Sequence, residues 1–336
     1  MIRAIRDFFT IKGYLEVETP LRIPTPIPEE HIEPFESEGW YLQSSPEICM
    51  KRLAARGYEK IFQLCKCFRK DERGDRHLTE LAMLEWYRKD YSYMEMMDEC
   101  EEMIKYVTKR LSYLIKQSSN VSTSTIAVES ITPAIEYGSQ RISIDQPWQH
   151  ITVKEAFKKY GGMTMKDAEE NGCFDEIMAF EIEPCLGIAV PTFIYDYPAS
   201  RAALAKLKSK KSTSDNGLGQ SESDDSLAER FELYIAGIEL ANGFTELVDP
   251  VEQRERLAKA IEKIEHRHIT ENQNMATSVP LMPTHKKNML MPEKFLQDLK
   301  KMPATAGIAL GIDRLAMLFT NSPTIDLVVA FTPEEL

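Results

Sequence analysis

The chain has 336 residues, 43% of them hydrophobic, and a formal net charge of −12 from 41 basic and 53 acidic side chains. That length and apolar fraction suffice for a substantial core, while the acidic excess works against the phosphate-driven affinity of general nucleic-acid binding. No apolar run approaches the roughly 20 residues of a membrane helix, and Met1-Ile2-Arg3-Ala4-Ile5-Arg6 has no signal-peptide apolar block, so a cytoplasmic protein with no membrane role is expected.

Ile2, Ile5, Phe8 and Phe9 share one helical face, and Gly13 ends that helix before an alternating strand from Tyr14 to Thr19 closed by Pro20. Tyr41-Leu42-Gln43 and Lys60 to Phe68 read as strands with a helix from Pro46 to Ala55 between them. A strand from Leu81 to Arg88 and a long helix from Tyr93 to Gln117 follow. His150 to Ala168 reads as a strand or turn leading into a helix, Thr192 to Tyr197 as a buried strand and Phe231 to Asp249 as a hairpin. A long helix starts at Pro250, and a last one covers Asp313 to Leu318.

Residues 118–126 and 207–225 are rich in polar residues and are expected to be loops or disordered insertions within a single domain spanning 1–336. Strands and helices without strict alternation predict an α+β domain around a mostly antiparallel sheet flanked by helices. Of the cysteines, Cys65 and Cys67 form a Cys-x-Cys with no second pair to complete a zinc site, so reduced thiols are expected.

Three constellations carry chemistry. The first is Phe68-Arg69-Lys70-Asp71-Glu72, then Arg76-His77, then Glu80 to Tyr87. It reads as strand, charged loop, strand, with an arginine able to fork onto a phosphate or carboxylate and with Glu85 and Tyr87 on one face. The second runs from Glu232 to Glu246 with a turn near Ala236-Gly237, which sets Glu232 and Glu239 near-opposite each other. Two carboxylates held together call for a cation, such as magnesium on nucleotide phosphates. In the third, Ala306 to Leu315, glycines permit close approach of a flat ligand, and Arg314 at a helix start suits an anionic partner. No Gly-rich phosphate loop of the usual kinds is present, so charged side chains must hold any nucleotide.

The proline-ended helix and strand of residues 2–20, the Arg69-bearing strand-loop-strand and the Gly-x-Asp-Arg of Gly311 to Arg314, in this order, resemble the three signature motifs of class II aminoacyl-tRNA synthetases. Ser45-Pro46-Glu47, Met83 to Tyr87 and Gly237 to Phe244 are similar to the lysine-specific branch. Within it, nearly the whole chain, including Asp196-Tyr197-Pro198-Ala199-Ser200, resembles the truncated paralogues that ligate (R)-β-lysine to elongation factor P. The chain begins at the first motif and stops soon after the third, leaving no room for an anticodon-binding domain, so tRNA is not the expected acceptor. Ala309 stands where lysyl-tRNA synthetases usually carry glycine and these ligases alanine.

The resemblance implies the class II catalytic fold, ATP and magnesium, and (R)-β-lysine or lysine as the amino acid. It also implies elongation factor P as protein substrate, and a homodimer through the motif around Pro20. By the same resemblance Arg69, Glu232, Glu239 and Arg314 are catalytic, and Glu232 with Glu239 holds the metal. Ser45, Pro46, Glu47, Glu85, Tyr87, Glu239, Glu246 and Ala309 surround the amino acid. Arg69, Lys70, Asp71, His77, Leu78, Leu81, Glu232, Leu233, Gly311 and Arg314 surround ATP. The chain departs from the family at Arg69-Lys70-Asp71, usually Arg-Asn-Glu, and at His77-Leu78-Thr79-Glu80-Leu81, usually His-Asn-Pro-Glu-Phe. Leu81 thereby removes an adenine-stacking ring worth about 1 kcal/mol. Two other readings remain: loading of a different acceptor, and a non-catalytic regulatory paralogue.

Overall fold

The computed structural model describes residues 1–30, 32–118, 133–209, 226–275 and 290–336. Its framework is an eight-stranded sheet. In chain order the strands are β1 (Leu15–Glu16), β2 (Lys60–Phe68), β3 (Glu80–Lys89), β4 (Gln149–Thr152), β5 (Thr192–Pro198), β6 (Leu227–Ile235), β7 (Ile238–Thr245) and β8 (Thr305–Gly311). They lie side by side as β1-β2-β3-β8-β7-β6-β5-β4. The two edge pairs, β1 with β2 and β4 with β5, are parallel, and every pair between them is antiparallel. The α+β expectation, a mostly antiparallel sheet flanked by helices, is met.

One face of the sheet is apolar because alternate residues along each strand are apolar. Phe62, Leu84, Trp86, Phe193, Phe231, Leu233, Ala306, Ile308 and Leu310 pack there under α1 (Ile2–Ile11) and α3 (Tyr93–Ser118). Helix α1 turns Ala4, Ile5, Phe8 and Phe9 inward, and α3 contributes Met96, Met97, Cys100, Met103, Ile104 and Val107. The other face carries polar residues, covered on the β2–β3 side by α2 (Glu47–Ala54). On the β5–β6 side it is covered by an apolar unit that includes Phe157 of the helix Val153–Tyr160, Ala168 of Met165–Glu170, and Phe174. α4 (Ile312–Thr320) follows β8 directly.

Most sequence expectations hold to within a residue or two, but the strand after Gly13 is only β1, Leu15–Glu16, and pairs in parallel with β2. Residues 119–126 and 210–225 of the two polar stretches lie outside the described residues. At their described ends, Ser118 closes α3, and Leu207 bridges to Ala228. Among the described residues no helix is long and apolar enough to cross a membrane.

Two irregularities decide which side chains reach the polar face. In β5 the register slips between Tyr195 and Tyr197 at Asp196, whose φ of 64° is tolerated by a short polar side chain that accepts hydrogen bonds from Tyr93 and Lys208. In β7 Leu233 pairs with Ala241 and Tyr234 with Glu239, so Leu240 is the extra residue of a bulge. Each slip reverses the period-two alternation once. Tyr197 therefore lands on the face of Ile194, and Glu239 on the face of Asn242.

The β6–β7 turn is a two-residue loop with positive φ at both Ala236 (55°) and Gly237 (66°), the backbone that matches strand twist in a tight hairpin. It rests on the chain at Leu186–Gly187, whose carbonyls accept from Gly237 N at 2.9 Å and Ala236 N at 2.8 Å. Gly187 itself has φ +72°, and a Cβ there would lie 2.4 Å from the Tyr234 carbonyl oxygen. Gly187→Ala is therefore expected to destabilise the protein by about 2 kcal/mol or more, read as a lower denaturation midpoint in urea.

Candidate active site

Cross-strand register lays one polar row over the sheet. Gln63 on β2 opposes Glu85 on β3, Glu85 opposes Ala309 on β8, Ala309 opposes Asn242 on β7, and Asn242 opposes Glu232 on β6. The next row holds Tyr87, Gly307, Phe244 and Arg230. These rows bring the amino-acid-binding and metal-binding candidates onto one face and put Ala309 between Glu85 and Asn242.

At one end of the row the carboxylates are deeply buried. Ser45 Oγ donates to Glu85 Oε1 at 2.5 Å and accepts from the Glu47 amide at 3.0 Å, while the Tyr87 hydroxyl donates to Glu85 Oε2 at 3.0 Å. Pro46 occupies the cap position of α2, which starts Glu47 in the first turn, where a carboxylate suits the helix dipole. One turn later Lys51, 1% exposed, reaches Glu47 Oε1 and Glu246 Oε2, each at 2.5 Å, with its ammonium 5.0 Å from the centre of the Phe244 ring. Only glycine fits at 307, because a Cβ would meet the Tyr87 ring at 2.4 Å and Glu246 Oε1 at 2.6 Å.

Burial pushes the Glu85 carboxyl up to about 8, and the neighbouring Glu47 charge adds to this, while Ser45 and Tyr87 pull it back. Burial also raises Glu246, against the attraction of Lys51. Glu246 thus has a cation in the fold, whereas Glu85 has only neutral donors.

Further along the row, Glu232 is 7% exposed and densely bonded. Its Oε2 accepts from Tyr197 at 2.6 Å and Tyr234 at 2.9 Å, and its Oε1 accepts from Arg230 at 2.6 Å and, weakly, from Asn242 at 3.5 Å. Burial raises this carboxyl, opposed by Arg230 and reinforced by the Glu239 charge. Glu239 is not opposite Glu232, as the hairpin spacing suggests. Its partner is Tyr234, and the Leu240 bulge returns it to the same face one pair further toward the turn. There Arg314 Nη1 lies 3.5 Å from Glu239 Oε2 and donates to the Glu239 carbonyl at 2.8 Å.

Arg314 also donates to the Arg76 carbonyl at 3.3 Å and meets His77 Nε2 at 2.6 Å. Since arginine only donates, Nε2 is the acceptor. Desolvation, and then the guanidinium, hold His77 below its usual value. Arg69 contacts the Ser44 carbonyl at 3.5 Å and Glu72 at 3.7 Å, both too long for full hydrogen bonds, so its fork is available to an anion. A Cβ at Gly311 would meet nothing closer than Arg314 at 3.7 Å, so packing alone does not require glycine there.

The other candidates are placed differently. Lys70 and Asp71 are exposed, with Asp71 at φ 65°, and Lys70 is tied through its amide to Glu33. Leu81 is half-buried on the polar face. Leu78 packs with Met317 and Ile325 under α4, and Leu233 lies in the opposite apolar core, so neither turns its side chain toward the site. Lys51, Gln63, Tyr197, Arg230 and Asn242 complete the site and escape the sequence reading. The four-residue spacing of Glu47 and Lys51 and the two-residue spacing of Arg230 and Glu232 were the signals available.

Two carboxylates, Glu232 and Glu239, on one face fit a magnesium ion that takes its remaining ligands from phosphates and water. Glu232 Oε1 has a lone pair engaged only in the 3.5 Å contact to Asn242. Among the described residues no group of three or more His, Cys, Asp or Glu side chains is placed to hold a metal on its own.

A carboxyl that is protonated in the folded chain and ionised in the unfolded one stabilises the fold at low pH. For Glu85 this contribution fades as pH rises from about 4.5, its reference value, through about 8. Glu85→Gln should flatten this decline and leave the variant at least about 1 kcal/mol more stable than the parent at pH 9, by urea denaturation across the pH range.

Comparison with known proteins places the whole arrangement. The family model for tRNA synthetases class II (D, K and N) matches residues 1–335. The chain is 33% identical over 352 residues to "Elongation factor P--(R)-beta-lysine ligase" of Pectobacterium carotovorum, covering 99% of this chain and 93% of that protein. Proteins of the same name from Hamiltonella defensa and Proteus mirabilis are each 33% identical, covering 99% and 98% of this chain and 93% and 92% of theirs. With its motifs carried on one face of an antiparallel sheet, the chain belongs to the class II tRNA synthetase family of the D, K and N branch.

Proposed function

We infer that this chain is an ATP-dependent, AMP-forming ligase that activates (R)-β-lysine as its adenylate and transfers it to a lysine side chain of elongation factor P. The observation that carries the reading is the charge balance of the pocket. Glu47, Glu85 and Glu246, when ionised, carry three negative charges against the one positive charge of Lys51. The net of two matches an amino acid with two ammonium groups, whose carboxylate Arg69 receives. The names of the curated relatives support the same substrate and acceptor.

In the first half-reaction the substrate carboxylate oxygen bonds to the α-phosphorus of ATP as the bond to the bridging oxygen breaks and pyrophosphate leaves. No general base is needed, because the nucleophile is already ionised. Arg69 neutralises charge at the α-phosphate and Arg314 holds the terminal phosphate. Glu232 and Glu239 would hold magnesium, which when bound would supply Lewis-acid stabilisation of the phosphates. In the second half a neutral protein amine attacks the acyl carbon, AMP departs and the amide forms with loss of a proton. The reading includes a homodimer through the segment around Pro20, where Ile11, Leu15 and Leu21 are exposed.

ATP–pyrophosphate exchange with (R)-β-lysine, L-α-lysine or no amino acid tests this reading. Exchange should favour (R)-β-lysine and fall by about 100-fold or more in Arg69→Ala. Folded protein that exchanges with none of them, or equally without amino acid, would sink it.

Binding of the second ammonium needs Glu85 ionised, so the site must release a proton as the amino acid enters. KM for (R)-β-lysine should therefore rise as pH falls below about 8. Titration calorimetry in buffers of differing ionisation enthalpy should show proton release in the parent, and less of it in Glu85→Gln.

A further inference from the structure

The loop between β2 and β3, which carries Arg69, Arg76 and His77, is gripped from two sides. On the site side, Arg76 donates to the Gly237 carbonyl at 3.2 Å, and Arg314 holds both the Arg76 carbonyl and His77. On the far side the loop meets the segment that follows α4, with its short helical turns Ile325–Val328 and Pro333–Glu335. Three contacts of different kinds are made there. Arg73 forks onto Glu334, Nε to Oε1 and Nη2 to Oε2 both at 3.0 Å, and Nη2 also reaches Asp326 at 2.9 Å. The Ile325 amide donates to the Asp75 carbonyl at 2.8 Å. Leu78 packs against Ile325 and Met317, which is why its side chain is turned from the site.

We propose that residues 325–335 are a clamp that positions the nucleotide-binding loop, with Arg73 as the positioning residue that closes it. The geometry couples the two sides. Gly74 and His77 exchange backbone hydrogen bonds at 3.1 and 3.2 Å, so the loop tip is a closed turn with Arg73 at one end and His77 at the other. A displacement at Arg73 is therefore passed to Arg76 and His77. The Glu334 end is likewise preset, because Thr332 and Glu335 form a reciprocal cap around the turn that bears it. An exposed ion pair contributes little to global stability, but a planar fork with a third acceptor fixes orientation. The clamp thus acts on the freedom of the loop, and through it on the ordering that ATP binding requires.

The kinetic part rests on the ligase reading and the structural part does not, so the test has two arms. The Asp326→Asn/Glu334→Gln double variant and Arg73→Met are compared with the parent by ATP–pyrophosphate exchange and by amide hydrogen exchange of residues 70–78 without substrates. The expected result is a rise in KM for ATP of about threefold to tenfold, an unchanged KM for the amino acid, and a difference that shrinks at high salt. Hydrogen exchange at 70–78 should quicken, and the charge-swapped Arg73→Glu/Glu334→Arg protein that also carries Asp326→Asn, which removes the like charge facing position 73, should recover most of both values. An unaltered KM for ATP with unaltered hydrogen exchange would overturn the clamp, as would a parallel rise of both KM values. If no amino acid supports exchange even in the parent, the ligase reading fails, and the hydrogen-exchange arm alone decides the clamp.

Discussion

Carboxylates buried on the face of a sheet must be neutralised, and the rest of this structure is arranged around that requirement. An unpaired buried charge costs several kcal/mol even after the protein relaxes, so each acid on the polar face needs a cation, a proton or a ligand. Glu246 has Lys51, and Glu232 has Arg230 with two tyrosine hydroxyls. Glu85 has Ser45 and Tyr87, which orient it without neutralising it. With no cation of its own, Glu85 is pushed up to about 8 and is neutralised by a proton near neutral pH, a proton that the proposed ligase reaction would exchange for the charge of an incoming ammonium group. Gly307 serves the same end, since its missing side chain lets Tyr87 and Glu246 converge over β8.

The pairing also explains why one short helix matters so much. Helix α2 carries Glu47 and Lys51 one turn apart, so a single rigid element supplies both an acid of the pocket and the cation that limits its charge. Lys51 is close to Glu47, Glu246 and the Phe244 ring at once, which ties α2 to β7 and to the chain beyond it. Any shift of α2 would unbalance two acids together.

Much of this was legible in the sequence, and what was not has a definite physical cause. Alternation and turn residues place β2, β3 and the Ala236-Gly237 turn, and the order of motifs places Arg69, Glu85, Glu232 and Arg314. Period-two reading fails at Asp196, the single residue of β5 that stands against two of β6, and at Leu240, the extra residue of β7, and each slip reverses the faces. It hides the delivery of Tyr197 to Glu232 and puts Glu239 in the wrong relation to Glu232. An aspartate inside an aromatic run was the visible hint of the first bulge, whereas Leu240 gives no local sign. Alternation from Glu232 sends the Leu233 side chain to the other face, so any contact of that residue with a nucleotide would fall to its backbone. Leu78 depends on Ile325, far away in the chain, which no local pattern reports.

The departures of the charged loop from its family pattern make sense in the same terms. Under the proposed ligase reading, Leu81 in place of an aromatic ring would forfeit about 1 kcal/mol of stacking on a base. Lys70 and Asp71 are exposed, and no side-chain contact fixes either of them among the hydrogen bonds and ion pairs of the described residues. A flexible loop with these side chains would have to be ordered by ATP itself, at a cost of about 0.5–1.5 kcal/mol for each long side chain fixed. A loop already pinned at Arg73, Asp75 and Leu78 avoids much of that cost, since Arg76 and His77 stand beside Arg314 before any ligand arrives. The interaction lost at Leu81 and the ordering avoided at the loop are of similar size, so a site with weaker contacts to the base can hold its nucleotide through a better-ordered frame.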